Sequence, residues 1–175
     1  MKIAIIAGSG NLPVQIATQN KEVFVLCIKD YSCPNSFQNK SEIVSLFDPI
    51  SWLTVLKTNN ITHIVMAGKI ERPSNFDKIT NEKANELINK IISVGDNSAL
   101  NYIQDFFNKN GFEILPINSI LKDCFMPKGF YQEKLFSQNL KDFVYKSSQF
   151  GVDLLNTISK FDVGQSVVVN NKLVY

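Results

Sequence analysis

The sequence has little of several features that mark common classes of protein. Its 175 residues include one histidine, and the formal net charge is only +2. So weak a charge, without a basic stripe or an aromatic stacking motif, argues against a nucleic-acid partner. No apolar run approaches the length of a membrane span, and the N-terminus enters a predicted strand instead of an apolar signal segment. These absences predict a soluble globular protein of the cytoplasm.

Residues that commonly carry catalysis are equally sparse. Cys27, Cys33 and Cys124 are odd in number and lack C-x-x-C spacing, which indicates neither a disulfide framework nor a zinc site. Cys27 stands in an apolar run, where a thiol packs as a small hydrophobic side chain. His63 has no second metal ligand nearby in the sequence, so a structural role is favoured over a catalytic one. No Ser-His-Asp or Cys-His set can be assembled.

The most informative stretch that is present is the first dozen residues. Ile3–Ala7 is continuously apolar, as in a strand buried on both faces of a parallel sheet. Gly8 and Gly10 permit a sharp turn and close approach to a ligand, and Asn11 and Pro13 suit the start of a helix. Backbone N–H groups there would face an anion. Because the dinucleotide pattern G-x-G-x-x-G lacks its third glycine, a phosphate site and a plain tight turn both stay open.

Apolar strands and helical patterns alternate through the first 130 residues. Strands are predicted at 3–7, 22–28, 43–47, 62–67 and 112–117, and helices after residue 11, over 48–59, around 84–92 and around 99–107. This alternation predicts an α/β fold, a Rossmann-like parallel sheet with helices on both faces. Ligands of such sheets bind beyond the carboxyl ends of the strands.

The pattern changes near residue 131. A long amphipathic helix is predicted over 137–159, followed by a strand at 167–169, a turn at Asn170–Asn171 and a return strand at 173–175. A two-stranded hairpin is marginal without further strands. We therefore predict a Rossmann-like N-terminal domain over 1–130 and the beginning of an incomplete C-terminal α+β domain over 131–175.

Polar residues at the ends of predicted elements are candidates for a site. Lys69 and Arg72 follow the fourth strand and suit a phosphate or diphosphate, although both are also explained as solvated loop cations. Asp96 either caps a helix or contacts a polar ligand. Asp162 and Gln165 would bind a hard metal ion or a sugar, or simply form a turn.

Four motifs occur in order along the chain. They are Ala7-Gly-Ser-Gly-Asn-Leu-Pro13, Met66-Ala-Gly-Lys-Ile-Glu-Arg-Pro73, Gly95-Asp96 and Asp162-Val-Gly-Gln-Ser-Val-Val-Val169. Together they resemble the UDP-2,3-diacylglucosamine pyrophosphatases of the LpxI type. The resemblance implies a two-domain cytoplasmic hydrolase of lipid A biosynthesis that depends on a divalent metal, Mg²⁺ or Mn²⁺. Such an enzyme cleaves UDP-diacylglucosamine to UMP and lipid X by attack of water on the α-phosphorus.

The resemblance also implies a set of substrate-binding residues and shows two departures from the family. The implied residues are Gly8, Ser9, Gly10, Lys69, Arg72, Asp96, Asp162 and Gln165. The family usually has a second aspartate where this chain has Asn97, which weakens a metal role there. Family members also continue beyond the position of Tyr175 to the catalytic aspartate, so we expect a C-terminally truncated chain and name no catalytic residue or metal ligand.

Other readings of the sequence stay open. The resemblance leaves open a homodimer and peripheral contact with the inner face of the inner membrane. A truncated, non-catalytic nucleotide- or lipid-binding remnant is one alternative function. A nucleotide-cofactor oxidoreductase is another, suggested by the strand-glycine-helix start and opposed by Pro13 and by the lack of an acidic residue closing the second strand other than Asp30.

Overall fold

Five short stretches of the chain form a parallel sheet. The computed structural model describes residues 1–71, 82–121, 136–161, 164 and 166–175, with the backbone alone for 82, 83, 96 and 97. The strands are β1 (Ile3–Ala7), β2 (Phe24–Ile28), β3 (Ser41–Val44), β4 (His63–Ala67) and β5 (Glu113–Ile114). Their spatial order is β3-β2-β1-β4-β5, and every neighbouring pair is parallel. The order reverses between β1 and β4, where sheets of this class bind ligands.

Two apolar layers cover the two faces of this sheet. The helices are α1 (Leu12–Gln19), α2 (Pro49–Thr58), α3 (Glu82–Ile92) and α4 (Asp96–Lys109). On one face, Trp52 of α2 and Phe107 of α4 belong to a buried cluster with strand residues such as Leu26. On the other face, Ile16 of α1 packs in a separate cluster with strand residues such as Val25. Since side chains alternate along a strand, β1, β2 and β4 each contribute to both layers. The predicted α/β class with helices on both faces is confirmed.

Two predicted strands have different bounds in the structure. The strand predicted at 43–47 is Ser41–Val44, because the Ser45 carbonyl accepts a hydrogen bond from the Asp48 N–H and starts a turn. The strand predicted at 112–117 is only Glu113–Ile114. Pro116 has no N–H to continue the ladder, and the chain then enters a 3₁₀ turn at Ile117–Ser119.

The chain divides into two compact units, Met1–Phe125 and Met126–Tyr175. The second contains α5 (Gln138–Ile158), β6 (Val169–Asn170) and β7 (Leu173–Val174). The start of α5 is as predicted, since the Ser137 hydroxyl accepts a hydrogen bond from the Leu140 N–H at 3.3 Å. That this unit begins an incomplete catalytic domain stays a prediction. No helix in the described parts of either unit is long and apolar enough to cross a bilayer.

In the second unit, the hairpin turn and the apolar face of α5 differ from what the sequence predicts. The hairpin turn is Asn171–Lys172, one residue later than predicted, because these residues take the positive φ values of 46° and 67° that a tight hairpin turn requires. The predicted apolar face of α5 is also only partly covered. Leu140 and Phe143 are 41% and 42% exposed, whereas Gly151 is buried against Val167 and Val169.

Candidate functional site

The loops after β1 and β4 are joined by backbone hydrogen bonds at the point where the strand order reverses. The Ser9 N–H donates to the Lys69 carbonyl at 2.8 Å, and the Lys69 N–H donates to the Ser9 carbonyl at 2.9 Å. The Ser9 hydroxyl donates to the same Lys69 carbonyl at 2.9 Å. The Gly8 N–H donates to the Ala67 carbonyl at 2.8 Å. We call this antiparallel contact between residues 8–9 and 67–69 the loop bridge.

The glycines of the loop bridge allow two backbones to approach closely. A Cβ on Gly8 would lie 2.7 Å from the Lys69 carbonyl oxygen, and one on Gly68 would lie 2.7 Å from both the Gly8 carbonyl carbon and the Ser9 carbonyl oxygen. The close approach that the structure shows at Gly8 is therefore to the backbone of the β4 loop, and an approach of Gly8 to a ligand stays a prediction. The N–H groups of Gly8 and Ser9, which were expected to face an anion, already have carbonyl partners.

The donors left for an anion lie one turn further on, at the start of α1. Gly10 turns the chain at φ +98°, and no heavy atom outside its neighbours lies within 4 Å of its hypothetical Cβ. Asn11 is the N-cap residue of α1, as predicted, although its side chain makes no capping hydrogen bond. In the described part of the chain, no acceptor pairs with the N–H groups of Gly10, Asn11, Leu12 or Val14. These groups and the helix dipole favour an anion there.

A cleft of about 510 Å³ opens beside the start of α1. Gly8, Gly10 and Val14 line one side, and residues of the segment 30–37, which follows β2, line the other. The volume lies in the range of small-molecule sites, and the position is at the carboxyl ends of β1 and β2. The cleft is therefore a candidate binding site for a nucleotide-sized ligand.

Two hydrogen bonds hold the segment 30–37 against neighbouring strand ends. The Ser32 hydroxyl donates to the Ala7 carbonyl at 2.7 Å, and the Tyr31 hydroxyl donates to the Glu71 carbonyl at 2.9 Å. Asp30 takes the left-handed conformation at φ 71°, directly after β2. No site residue was predicted from the sequence in this segment. Asp30, as an acidic residue closing the second strand, was the one signal available.

Lys69 is not among the described residues that line the cleft. The Lys69 ammonium pairs with the Glu71 carboxylate at 3.0 Å, and the two side chains are 74% and 72% exposed. An ion pair so exposed contributes little stability, so an anionic ligand could replace the carboxylate at low cost. Arg72 lies outside the described residues.

The remaining predicted site residues are not brought to this cleft by anything the structure describes. Asp96 is the first residue of α4 and Gly95 is its cap, so the reading of Asp96 as the cap is wrong. Asp162 and Gln165 lie outside the described residues. Among the residues that are described, no group of three or more His, Cys, Asp and Glu could hold a metal ion. The predicted Mg²⁺ or Mn²⁺ stays a prediction.

The contacts of His63 and Cys27 fit structural roles. The His63 ring contacts the Thr62 hydroxyl at 2.7 Å and the Glu113 carboxylate at 3.2 Å, at the amino ends of β4 and β5 and away from the cleft. Cys27 is fully buried in β2, as predicted. Burial raises the pKa of its thiol, and a hydrogen bond with Ser32 opposes that shift.

The chain is similar to known proteins over nearly all of its length. Residues 2–124 match the LpxI N-terminal domain family. In an alignment 180 residues long, the chain is 22% identical to the UDP-2,3-diacylglucosamine pyrophosphatase LpxI of Caulobacter vibrioides. That alignment covers 99% of this chain and 63% of the relative, so the chain spans less than two thirds of the relative's length. Because the family match takes in the whole sheet, the loop bridge and α1, the chain belongs to the LpxI family.

Proposed function

We propose that this protein hydrolyses the diphosphate of UDP-2,3-diacylglucosamine to UMP and lipid X, a step of lipid A biosynthesis. Family membership supports this reaction, and so does the name of the Caulobacter relative, a UDP-2,3-diacylglucosamine pyrophosphatase. The observation that carries it furthest is the cleft at the carboxyl ends of β1 and β2, next to N–H groups at the start of α1 that have no partner in the described part of the chain. The same observations give a nucleotide-cofactor oxidoreductase less support, because the family match does not point to one.

The start of α1 supplies what a diphosphate requires. The N–H groups of Gly10, Asn11 and Leu12 are fixed donors that need no reorganisation when a phosphate oxygen arrives. The Lys69 ammonium would add a positive charge if it left the Glu71 carboxylate and paired with a phosphate of the ligand instead. Attack of water on the α-phosphorus places added negative charge on the phosphoryl oxygens, and such donors stabilise that charge.

The proposal includes a divalent metal, Mg²⁺ or Mn²⁺. When bound, such an ion would neutralise phosphate oxygens and orient the diphosphate. The described residues of this chain offer no ligand set for it, so its support is the family resemblance and the chemistry of diphosphates. No residue is assigned as general base or nucleophile.

The experiment is release of UMP from UDP-2,3-diacylglucosamine by the purified 175-residue chain. Metal-dependent release that a chelator abolishes would support the reaction. UDP binding without release would instead support the alternative, a nucleotide- or lipid-binding protein without turnover. If a folded sample neither binds UDP nor releases UMP, both functions are refuted.

A variant of Lys69 tests whether the β4 loop contributes to anion binding. We expect Lys69→Ala to weaken UDP binding several-fold at low salt and by less at high salt, since an exposed charge is screened. Lys146→Ala is the control, because Lys146 is an exposed lysine of α5. Titration calorimetry at two salt concentrations measures both. Equal affinities of the Lys69→Ala protein and the control would remove Lys69 from the proposed site.

A further inference from the structure

The cleft has a carboxylate that the proposed reaction does not use. Asp30 lines the cleft opposite the start of α1, and its side chain is exposed to solvent. In the described part of the chain, its carboxylate has no hydrogen-bond or ion-pair partner. It is therefore an acceptor that a ligand could use.

The position of Asp30 in the fold specifies what part of a ligand it would meet. Asp30 directly follows β2, which pairs with β1 on the side away from β4, and it comes twenty residues after Gly10. In doubly wound sheets that bind NAD, an acidic residue at about this distance from the glycine turn accepts a hydrogen bond from a ribose hydroxyl. An anionic phosphate at the start of α1 would be repelled by a carboxylate, whereas neutral hydroxyl groups are donors to it.

The backbone at Asp30 keeps this acceptor at the edge of the cleft. Its φ of 71° turns the chain back sharply, so that the N–H groups of Tyr31 and Ser32 both donate to the Ile28 carbonyl, at 3.1 and 3.0 Å. The Ser32 hydroxyl then holds the turn to the carboxyl end of β1. The carboxylate is thus carried by a turn that is fixed to both β1 and β2.

We propose that Asp30 is a specificity-determining residue whose carboxylate accepts hydrogen bonds from the ribose 2′- and 3′-hydroxyl groups of the nucleotide in the cleft. This inference rests on the proposed function, since it takes the ligand to be the uridine nucleotide portion of the substrate. Its consequence is that the site discriminates against nucleotides that lack a ribose hydroxyl group to which Asp30 is bonded.

The test compares UMP with 2′-deoxy-UMP and 3′-deoxy-UMP by titration calorimetry on the full chain. A hydrogen bond to a charged acceptor predicts that the wild-type protein binds UMP about tenfold more tightly than at least one deoxy analogue. In Asp30→Ala this ratio falls to about one. The ratio is the useful readout because loss of the negative charge raises the affinity for all three anions alike. Asp105→Ala, which removes an exposed aspartate of α4, should keep the wild-type ratio.

The outcomes separate this inference from the proposed function. A wild-type protein that binds UMP and both analogues equally, or an Asp30→Ala protein that keeps the wild-type ratio, would overturn the role of Asp30 and leave the proposed hydrolysis standing. Absence of UMP binding by the wild-type chain would overturn the nucleotide site and the role of Asp30 with it. Release of UMP from UDP-2,3-diacylglucosamine is scored separately, so hydrolysis can fail while ribose selection holds.

Discussion

The loop bridge gives a quantitative prediction for Gly68→Ala. The new Cβ would lie 2.7 Å from two backbone atoms of residues 8 and 9, and neither atom can rotate away as a side chain can. The loops must separate, which weakens the reciprocal bonds of 2.8 and 2.9 Å between Ser9 and Lys69. Two such bonds are worth about 2 kcal/mol, and the left-handed backbone at φ +92° adds about 1 to 2 kcal/mol for alanine. We expect a loss of about 3 to 4 kcal/mol in the free energy of unfolding.

Gly10→Ala is the matched control for this prediction. Gly10 has a similar φ of +98° but open space where the Cβ would be, so only the conformational cost of about 1 to 2 kcal/mol applies. Urea unfolding followed by the fluorescence of Trp52 reports on the first unit alone, because this is the one tryptophan of the sequence. At an m value of about 2 kcal/mol per molar, the two midpoints should differ by about 1 M. Equal midpoints would show that the backbones are not in tight contact.

Two further predictions concern the segment after β2. Tyr31→Phe removes the hydrogen bond to the Glu71 carbonyl and should lower the free energy of unfolding of the first unit by about 1 kcal/mol, measured by Trp52 fluorescence in urea. Tyr102→Phe, at a residue of the same unit that is 40% exposed, should leave the free energy of unfolding unchanged, and equal losses would contradict a specific role for Tyr31. In a Cys124→Ser background, an aromatic disulfide reagent at pH 8 should modify the exposed Cys33 quickly and Cys27 only on unfolding, since burial raises the pKa of the Cys27 thiol. The Cys27 thiol ionises at a lower pH in the unfolded chain than in the folded protein. Its contribution to the free energy of unfolding is therefore fully present below its ordinary pKa of 9.0 and is lost as the pH rises through the higher pKa of the folded state. Rapid modification of both Cys33 and Cys27 in the folded protein would contradict the expected protection of Cys27.

The sheet could be predicted from the sequence because its signals are local. The apolar run Ile3–Ala7, the two following glycines and Pro13 lie within a dozen residues and specify strand, turn and helix. The parallel direction of the strands follows from the helical connections between them, whereas the order of the strands, and so the place where it reverses, was not predicted. Strand ends were predicted less well, since the end of β5 depends on Pro116 and the end of β3 on a turn that begins at Ser45.

The site was predicted in part, and the errors have a common cause. The turn after β1 and the loop after β4 were placed correctly at neighbouring strand ends. What the sequence does not contain is the pairing of Ser9 with Lys69, sixty residues apart, which uses the N–H groups that looked available. The hydrogen bond from Tyr31 to Glu71 spans forty residues in the same way. A hydrogen bond to a distant backbone carbonyl does not require a particular residue type at the acceptor, so the sequence does not reveal it.

The loop bridge also restricts how the cleft can respond to a ligand. It ties β1 to β4 beyond their last ladder bonds, so moving the turn after β1, which lines the cleft, away from β4 would break several backbone hydrogen bonds at once. The opposite wall, the segment 30–37, is anchored at Tyr31 and Ser32 by the turn bonds and the two hydroxyl groups, and at Phe37 by packing against the core. Between these anchors, the backbone hydrogen bonds in the described part of the chain join residues 33–37 only to one another, so movement of the wall is confined to this stretch. Local opening of that wall costs far less than opening of the sheet. We therefore expect induced fit in this site to be one-sided, with a rigid floor that orients the phosphates and a movable wall that closes over the rest of the ligand.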